Sequence, residues 1–215
     1  MRKLIALALV LFCCACEKKG TEPVLQDYYV FHDDYYTVDK EQFCLESLPD
    51  EHFLIIKEKD RETVINYLES KGFQITTEPY KWVYYTSEEY DTAEILSKCV
   101  AFTVSGKGKL SSVPNVIYSN HLYRNAGGNT VGKTNTFLIK FTKNLRDIQL
   151  IKIPEYAEQH NLLLMGDVST EYFRIACTNE TSGNCVEMAN WFVEVAGFKS
   201  AEPEFPEMTI DSDNQ

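Results

Sequence analysis

Two successive runs of strand, helix, strand, strand, helix and strand predict an α+β fold with antiparallel sheets and helices on one face of each. Three observations carry this. Short apolar or alternating stretches, such as Phe53–Ile56 and Phe137–Phe141, have the length and period of strands. Val64, Ile65 and Leu68 stand at helical spacing, as do Val186, Met188, Ala189, Phe192, Val193 and Ala196. Gly72, Asn161 and Gly197 follow the helical patterns, where a left-handed residue ends a helix.

The chain begins with Arg2 and Lys3 and then an apolar run, Leu4 to Phe12, extended by Cys13–Cys14–Ala15. A bilayer span takes roughly 20 apolar residues, so the run is too short to cross. It has the size of the apolar region of an export signal. Residues 1–15 are therefore expected to be a signal peptide, with residues 16–26 as a polar tether. Ala15–Cys16 resembles the lipobox of bacterial lipoproteins, which implies cleavage before Cys16 and a lipid on it; Cys13 stands where that pattern has Leu, so Cys13 and Cys14 are other acceptors. A signal peptide cut nearby without lipid is the plainer alternative. The expected location is the cell envelope, lipid-anchored, at the outer membrane.

Removing residues 1–15 takes Arg2 and Lys3 and no acid, which leaves 19 basic against 32 acidic residues. Nucleic acid is discounted as a partner because phosphate needs basic patches. Membrane contact then falls to the anchor. Four cysteines remain in the body: Cys44, Cys99, Cys177 and Cys185. They read as small buried residues, and Cys177 with Cys185 as a possible pair across a loop.

Residues 27–124 read as an aromatic hairpin plus a first α+β unit. Tyr28–Phe31 and Tyr35–Val38 flank His32–Asp33–Asp34, a turn-like break. His52–Lys57 is a strand, and Asp60 is placed to cap the helix of Val64, Ile65 and Leu68. Phe73–Thr76, an aromatic segment at 80–86, a helical turn at Asp91–Leu96 and the strand Cys99–Val104 follow. A stunted helical segment near Leu110–Val113 ends at Pro114, before a strand from Val116 to about Tyr123. Residues 125–133, rich in glycine and asparagine, read as a linker.

Residues 134–205 repeat the pattern. Thr136–Phe141 is a strand, and Asn144 caps a helix from Leu145 toward His160 that starts or kinks at Pro154. Leu162–Met165 and Glu171–Cys177 are strands. Ser182 caps the next helix, and Phe198–Phe205 is the last strand. Both units then have the ferredoxin-like βαββαβ order, the first irregular. Residues 206–215 form an acidic tail.

The stretches Pro114–Asn120, Gly132–Phe141, Ala157–Asn161, Met188–Phe192 and Phe198–Phe205 are similar to the N-terminal propeptide region of subtilisin-like serine proteases of Bacteroidales. Met1–Cys16, the hairpin at Tyr28–Val38 and the strand Phe53–Ile56 with its helix share in the resemblance, which covers roughly residues 27–205. Propeptides of that family assist folding of the protease and then inhibit it. Their sheet packs on the enzyme, and their C-terminal tail lies in its cleft. The resemblance implies a subtilisin-like protease as partner. It gives Glu207, Met208, Thr209 and Ile210 as tail residues that add a strand in the cleft, the other reading being a disordered acidic C-terminus. The alternatives are a surface interaction lipoprotein with no protease partner, or a truncated protease precursor.

No catalytic motif is expected. His32, His52, His121 and His160 lack a Gly-x-Ser-x-Gly serine, and Asp27, Asp33 and Asp34 lack the ligand spacing of a calcium loop. Gly127–Gly128 lacks a phosphate-loop lysine. No metal, cofactor or small-molecule substrate is expected. Asp91–Thr92–Ala93 and Asn179–Glu180–Thr181 match short glycosylation patterns, and Trp82, Tyr84 and Tyr85 offer an aromatic contact surface or simply pack a sheet.

Overall fold

The computed structural model describes residues 29–82, 98–108, 110 and 113–205. It is an α+β fold with two antiparallel sheets and, among the described residues, three α-helices. The elements are β1 (Tyr35–Val38), β2 (Glu41–Lys57), α1 (Arg61–Ser70), β3 (Gln74–Ile75), β4 (Tyr80–Trp82), β5 (Cys99–Ser105), β6 (Val116–Asn125), β7 (Thr130–Val131), β8 (Thr136–Lys140), α2 (Arg146–His160), β9 (Leu163–Asp167), β10 (Tyr172–Ala176), α3 (Cys185–Glu194) and β11 (Ser200–Pro203).

The second sheet has the order β11-β8-β10-β9, all antiparallel. β10 lies between the two strands joined by α2, which is the split β-α-β arrangement. The larger sheet repeats this order as β6-β2-β5-β3, with β1, β4 and β7 added at its margins. A turn closed by Val113 N–H donating to the Leu110 carbonyl at 3.0 Å stands where the repeat would place a second helix.

Period-2 alternation divides each sheet's side chains. Leu54, Ile56, Val100, Phe102 and Val104 face α1 through Val64 and Leu68. Phe53, Ile55, Cys99, Ala101 and Tyr118 point the other way and join one core with Phe137, Ile139, Phe173, Ile175 and the buried faces of α2 and α3. The two sheets thus share a hydrophobic interior. Residues 125–133, read from sequence as a linker, close β6 onto β7, with Asn125 Oδ1 accepting from the Gly127 and Asn129 amides.

The hairpin expected across His32–Asp33–Asp34 forms elsewhere. β1 pairs with the start of β2, Tyr35 opposite Cys44 and Val38 opposite Glu41. Asp39 and Lys40 both have positive φ, which suits a tight two-residue hairpin turn. β2 runs on through Pro49, where its register against β6 shifts between Leu48 and His52. A proline cannot donate to the ladder, so a bulge there is its natural place.

Helix ends also differ from expectation. Asn184, not Ser182, caps α3: its Oδ1 accepts from the Val186 and Glu187 amides, and Glu187 reaches back to the Asn184 amide. α2 continues through Pro154, giving up the one bond its missing N–H would make. Asp60 stands at the α1 cap position without a side-chain bond. Asn161 ends α2 in the left-handed conformation, as expected.

Candidate functional site

The second sheet's outer face is the candidate surface for meeting a partner. Alternation puts Leu138 and Lys140 of β8, Tyr172 and Arg174 of β10, and Glu202 of β11 on the side away from α2 and α3, all at least partly exposed. Register sets Glu202, Leu138 and Arg174 abreast. Arg174 spans the face, donating from Nε and Nη2 to both carboxylate oxygens of Glu204 at 2.7 Å each. Lys140 Nζ donates to Asp39 Oδ2 at 3.3 Å and lies over the Tyr172 ring at 5.2 Å. Partial burial, with Glu204 and Asp39 nearby, pushes the Glu202 carboxyl above the usual carboxylate range. At the Ala176 end, Ile117 of β6 packs over Ala176 and Met165.

The chain leaves this sheet beside the same face. Glu204 N–H donates to the Thr136 carbonyl at 3.0 Å. Phe205 meets Tyr36 edge-on at 5.6 Å, and Tyr36 stacks on the partly exposed Phe43 at 5.2 Å. The expected tail residues Glu207, Met208, Thr209 and Ile210 lie outside the described residues, as do Cys16, Asp27, Tyr84, Tyr85 and Asp91–Thr92–Ala93.

A polar joint fixes the segment before β1 onto α3. Fully buried Asn190 donates from Nδ2 to the carbonyls of Tyr35 at 2.6 Å and His32 at 3.1 Å. Glu194 accepts from the hydroxyls of Tyr29 and Tyr35 and contacts His32 Nε2 at 3.2 Å. Burial and the bond to Glu194 push the Tyr35 hydroxyl up to about 12. Asp33 accepts from Tyr123 and from Asn184 Nδ2. These interior asparagines escaped the reading by hydrophobic pattern. The available signal was Asn190 itself, a polar residue inside the apolar run of α3.

The four histidines occupy separate places. His32 has acids at hand, Asp34 and Glu194, and its ring lies among Tyr29, Tyr35 and Asn190. His52 faces His121 across β2 and β6, ring centroids 4.8 Å apart. His160 sits edge-on to Trp191 at 4.3 Å and to Phe31 at 6.2 Å, both ring nitrogens buried without a hydrogen bond. No three histidine, cysteine or acidic residues among those described are grouped to hold a metal ion. Among the described residues no helix is long and apolar enough to cross a membrane.

Asn179 of the glycosylation-like triplet points inward. Its N–H donates to the Ile117 carbonyl at 2.7 Å, Nδ2 donates to the Val116 carbonyl, and Oδ1 accepts from the Ser119 amide and hydroxyl. The side chain extends the edge of β6 as a strand would. Trp82 ends β4, half-buried against Phe53 at 5.3 Å.

No family model matches the chain, and no curated relative does.

Proposed function

We propose that this chain is an exported binding module, held at the cell envelope by a lipid on Cys16, that engages a subtilisin-like protease as a subtilase propeptide does. It would inhibit the protease in trans or assist its folding. Binding, not catalysis, is the role assigned. One observation supports the reading above the others: a split β-α-β sheet covered by helices on one face leaves a half-exposed face of mixed charge, and the chain departs beside it at Phe205. A segment leaving an edge strand is suited to add main-chain hydrogen bonds to a partner's cleft, and Glu207–Ile210 is the candidate.

The test is titration of the purified mature chain against subtilisin-like proteases, with refolding of a propeptide-less protease measured in parallel. Inhibition at micromolar levels or faster recovery of active protease supports the reading. Absence of both effects sinks it. Incorporation of labelled palmitate, lost in Cys16→Ala and kept in Cys13→Ala and Cys14→Ala, tests the anchor.

The second reading, a surface interaction lipoprotein without a protease partner, draws on a separate observation. Ile117 covers one end of the outer face, and Asp39 of the β1–β2 turn ties up Lys140 at the other.

A further inference from the structure

Cys177 and Cys185 lie in the same core and meet two consecutive residues, Asn135 and Thr134. Both are wholly buried in the shared core. Each is held by one of two consecutive residues. Cys177 N–H donates to the Asn135 carbonyl at 2.7 Å, and Asn135 Nδ2 donates back to the Cys177 carbonyl at 2.9 Å. Cys185 Sγ contacts the Thr134 carbonyl at 3.6 Å, and its N–H donates to the Tyr118 hydroxyl at 3.2 Å. One cysteine follows the end of β10 and the other opens α3. The loop between them, residues 178–184, carries Asn179 and Asn184, which fasten it to β6, and Asn184 also to Asp33. The structure records both as thiols.

We propose that Cys177 and Cys185 are a disulfide-forming pair, oxidised as the exported chain folds, and that the bond closes the loop from β10 to α3. Its occurrence in the cell rests on the export reading above; the pairing itself is inferred from the two cysteines meeting the consecutive residues Asn135 and Thr134 in one core. The oxidant is an external disulfide of the kind exporting compartments supply. The thiolate of one cysteine attacks it, forming a mixed disulfide and releasing one thiol. The second cysteine's thiolate then displaces the other thiol. Two protein thiols lose two protons and two electrons, and the oxidant becomes two thiols.

Timing follows from burial. Desolvation pushes the Cys185 thiol up to about 12, and the Cys177 thiol well above its ordinary value. A closed core therefore offers no thiolate. The bond must form before α3 seats, and once formed it is shielded from reductants.

The test uses the full chain with Cys13, Cys14 and Cys16 replaced by serine, which leaves Cys44, Cys99, Cys177 and Cys185. The chain is refolded from denaturant in a glutathione redox buffer. It is then unfolded without reductant in excess iodoacetamide and mapped by mass spectrometry. The expected result is two labelled thiols, a peptide crosslinked between Cys177 and Cys185, and bond survival when reductant is added to the folded protein. Four labelled thiols, or a bond involving Cys44 or Cys99, overturn the proposal. Cys177→Ala and Cys185→Ala keep the core apolar, and each should yield three labelled thiols. A disulfide in either variant also overturns it. The native chain expressed with its leader is mapped in the same way. A bond formed on refolding but missing from a chain that retains its leader faults the export reading. A bond missing from a leader-cleaved chain faults the pairing in the cell.

Discussion

Tyr123 gives its hydroxyl hydrogen to Asp33 Oδ2 at 2.7 Å, and through this bond β6 holds the segment in front of β1. Both groups also meet Asn184 Nδ2 at 3.2 Å, so the cap of α3 shares the contact. Burial first, then the Asp33 charge, holds the phenol far above its ordinary value, so it remains a donor at any working pH.

Tyr123→Phe removes the donor and leaves the half-buried Asp33 carboxylate under-satisfied. The expected loss is about 1–3 kcal/mol, read from the urea midpoint. Asp33→Ala should cost a similar amount, and the double variant less than the sum, since both report on one contact. Additive losses would show that the two residues act separately.

Burial lowers the His160 imidazole below its ordinary value; at His52 burial leads and His121 adds to it. The unfolded chain, with histidines near 6.5, therefore takes up protons first as pH falls. Stability is full above about pH 7 and declines below about 6.5, by up to ~1.4 kcal/mol per pH unit for each group until its own native value is reached. Burial raises the Glu187 and Glu202 carboxyls, which acts in the opposite sense at more acid pH. His160→Leu should flatten the decline between about pH 6.5 and about pH 5.5. An unchanged slope in urea titrations would sink this account.

Asn179→Ala deletes the bonds to the Val116 carbonyl and the Ser119 amide and hydroxyl. A loss of about 2 kcal/mol is expected, with faster hydrogen exchange at the Ser119 amide. Asn179→Asp keeps the acceptor but turns a carboxylate oxygen toward the Val116 carbonyl, so it too should cost stability while still bonding the Ser119 amide that the alanine variant leaves free. For the same reason, a glycan on Asn179 is expected to be absent from the folded protein in intact-mass measurement.

Arg174 and Glu204 are ion-paired with side chains 21% and 25% exposed, so the bridge should contribute about 1 kcal/mol or less to stability. On the proposed function, Arg174→Glu changes the charge of the outer face. It should weaken protease inhibition at least about tenfold; because it also sets a third carboxylate beside Glu202 and Glu204, Arg174→Gln serves as the stability-matched control. Equal inhibition by the variant would place the contact elsewhere.

Much of the strand and helix order is legible in the sequence because apolar period and helix-ending residues act locally. Gly72, Asn161 and Gly197 lie at helix ends, all with positive φ. What eluded the sequence depends on distant partners. The pairing of β1 with residues 41–44 is set by two left-handed residues, Asp39 and Lys40, neither of them glycine or asparagine. The choice of Asn184 over Ser182 as cap follows from its contacts with Asp33 and Tyr123, far away in sequence. The outer face of the second sheet was implied by the strand order, but Arg174–Glu204 and Lys140–Asp39 join residues that no local pattern links. Cys16 and Glu207–Ile210 lie outside the described residues.

The fastening of residues 29–35 to α3 has a mechanical consequence. Tension arriving through the N-terminal segment is borne first by the Asn190 amide on the His32 and Tyr35 carbonyls and by the Tyr29 and Tyr35 hydroxyls on Glu194. That load passes into a helix seated in the common core, not onto the β1–β2 hairpin, which would otherwise peel open one rung at a time. On the proposed lipid anchorage, a pull on the N-terminus would thus meet the buried helix before the exposed hairpin.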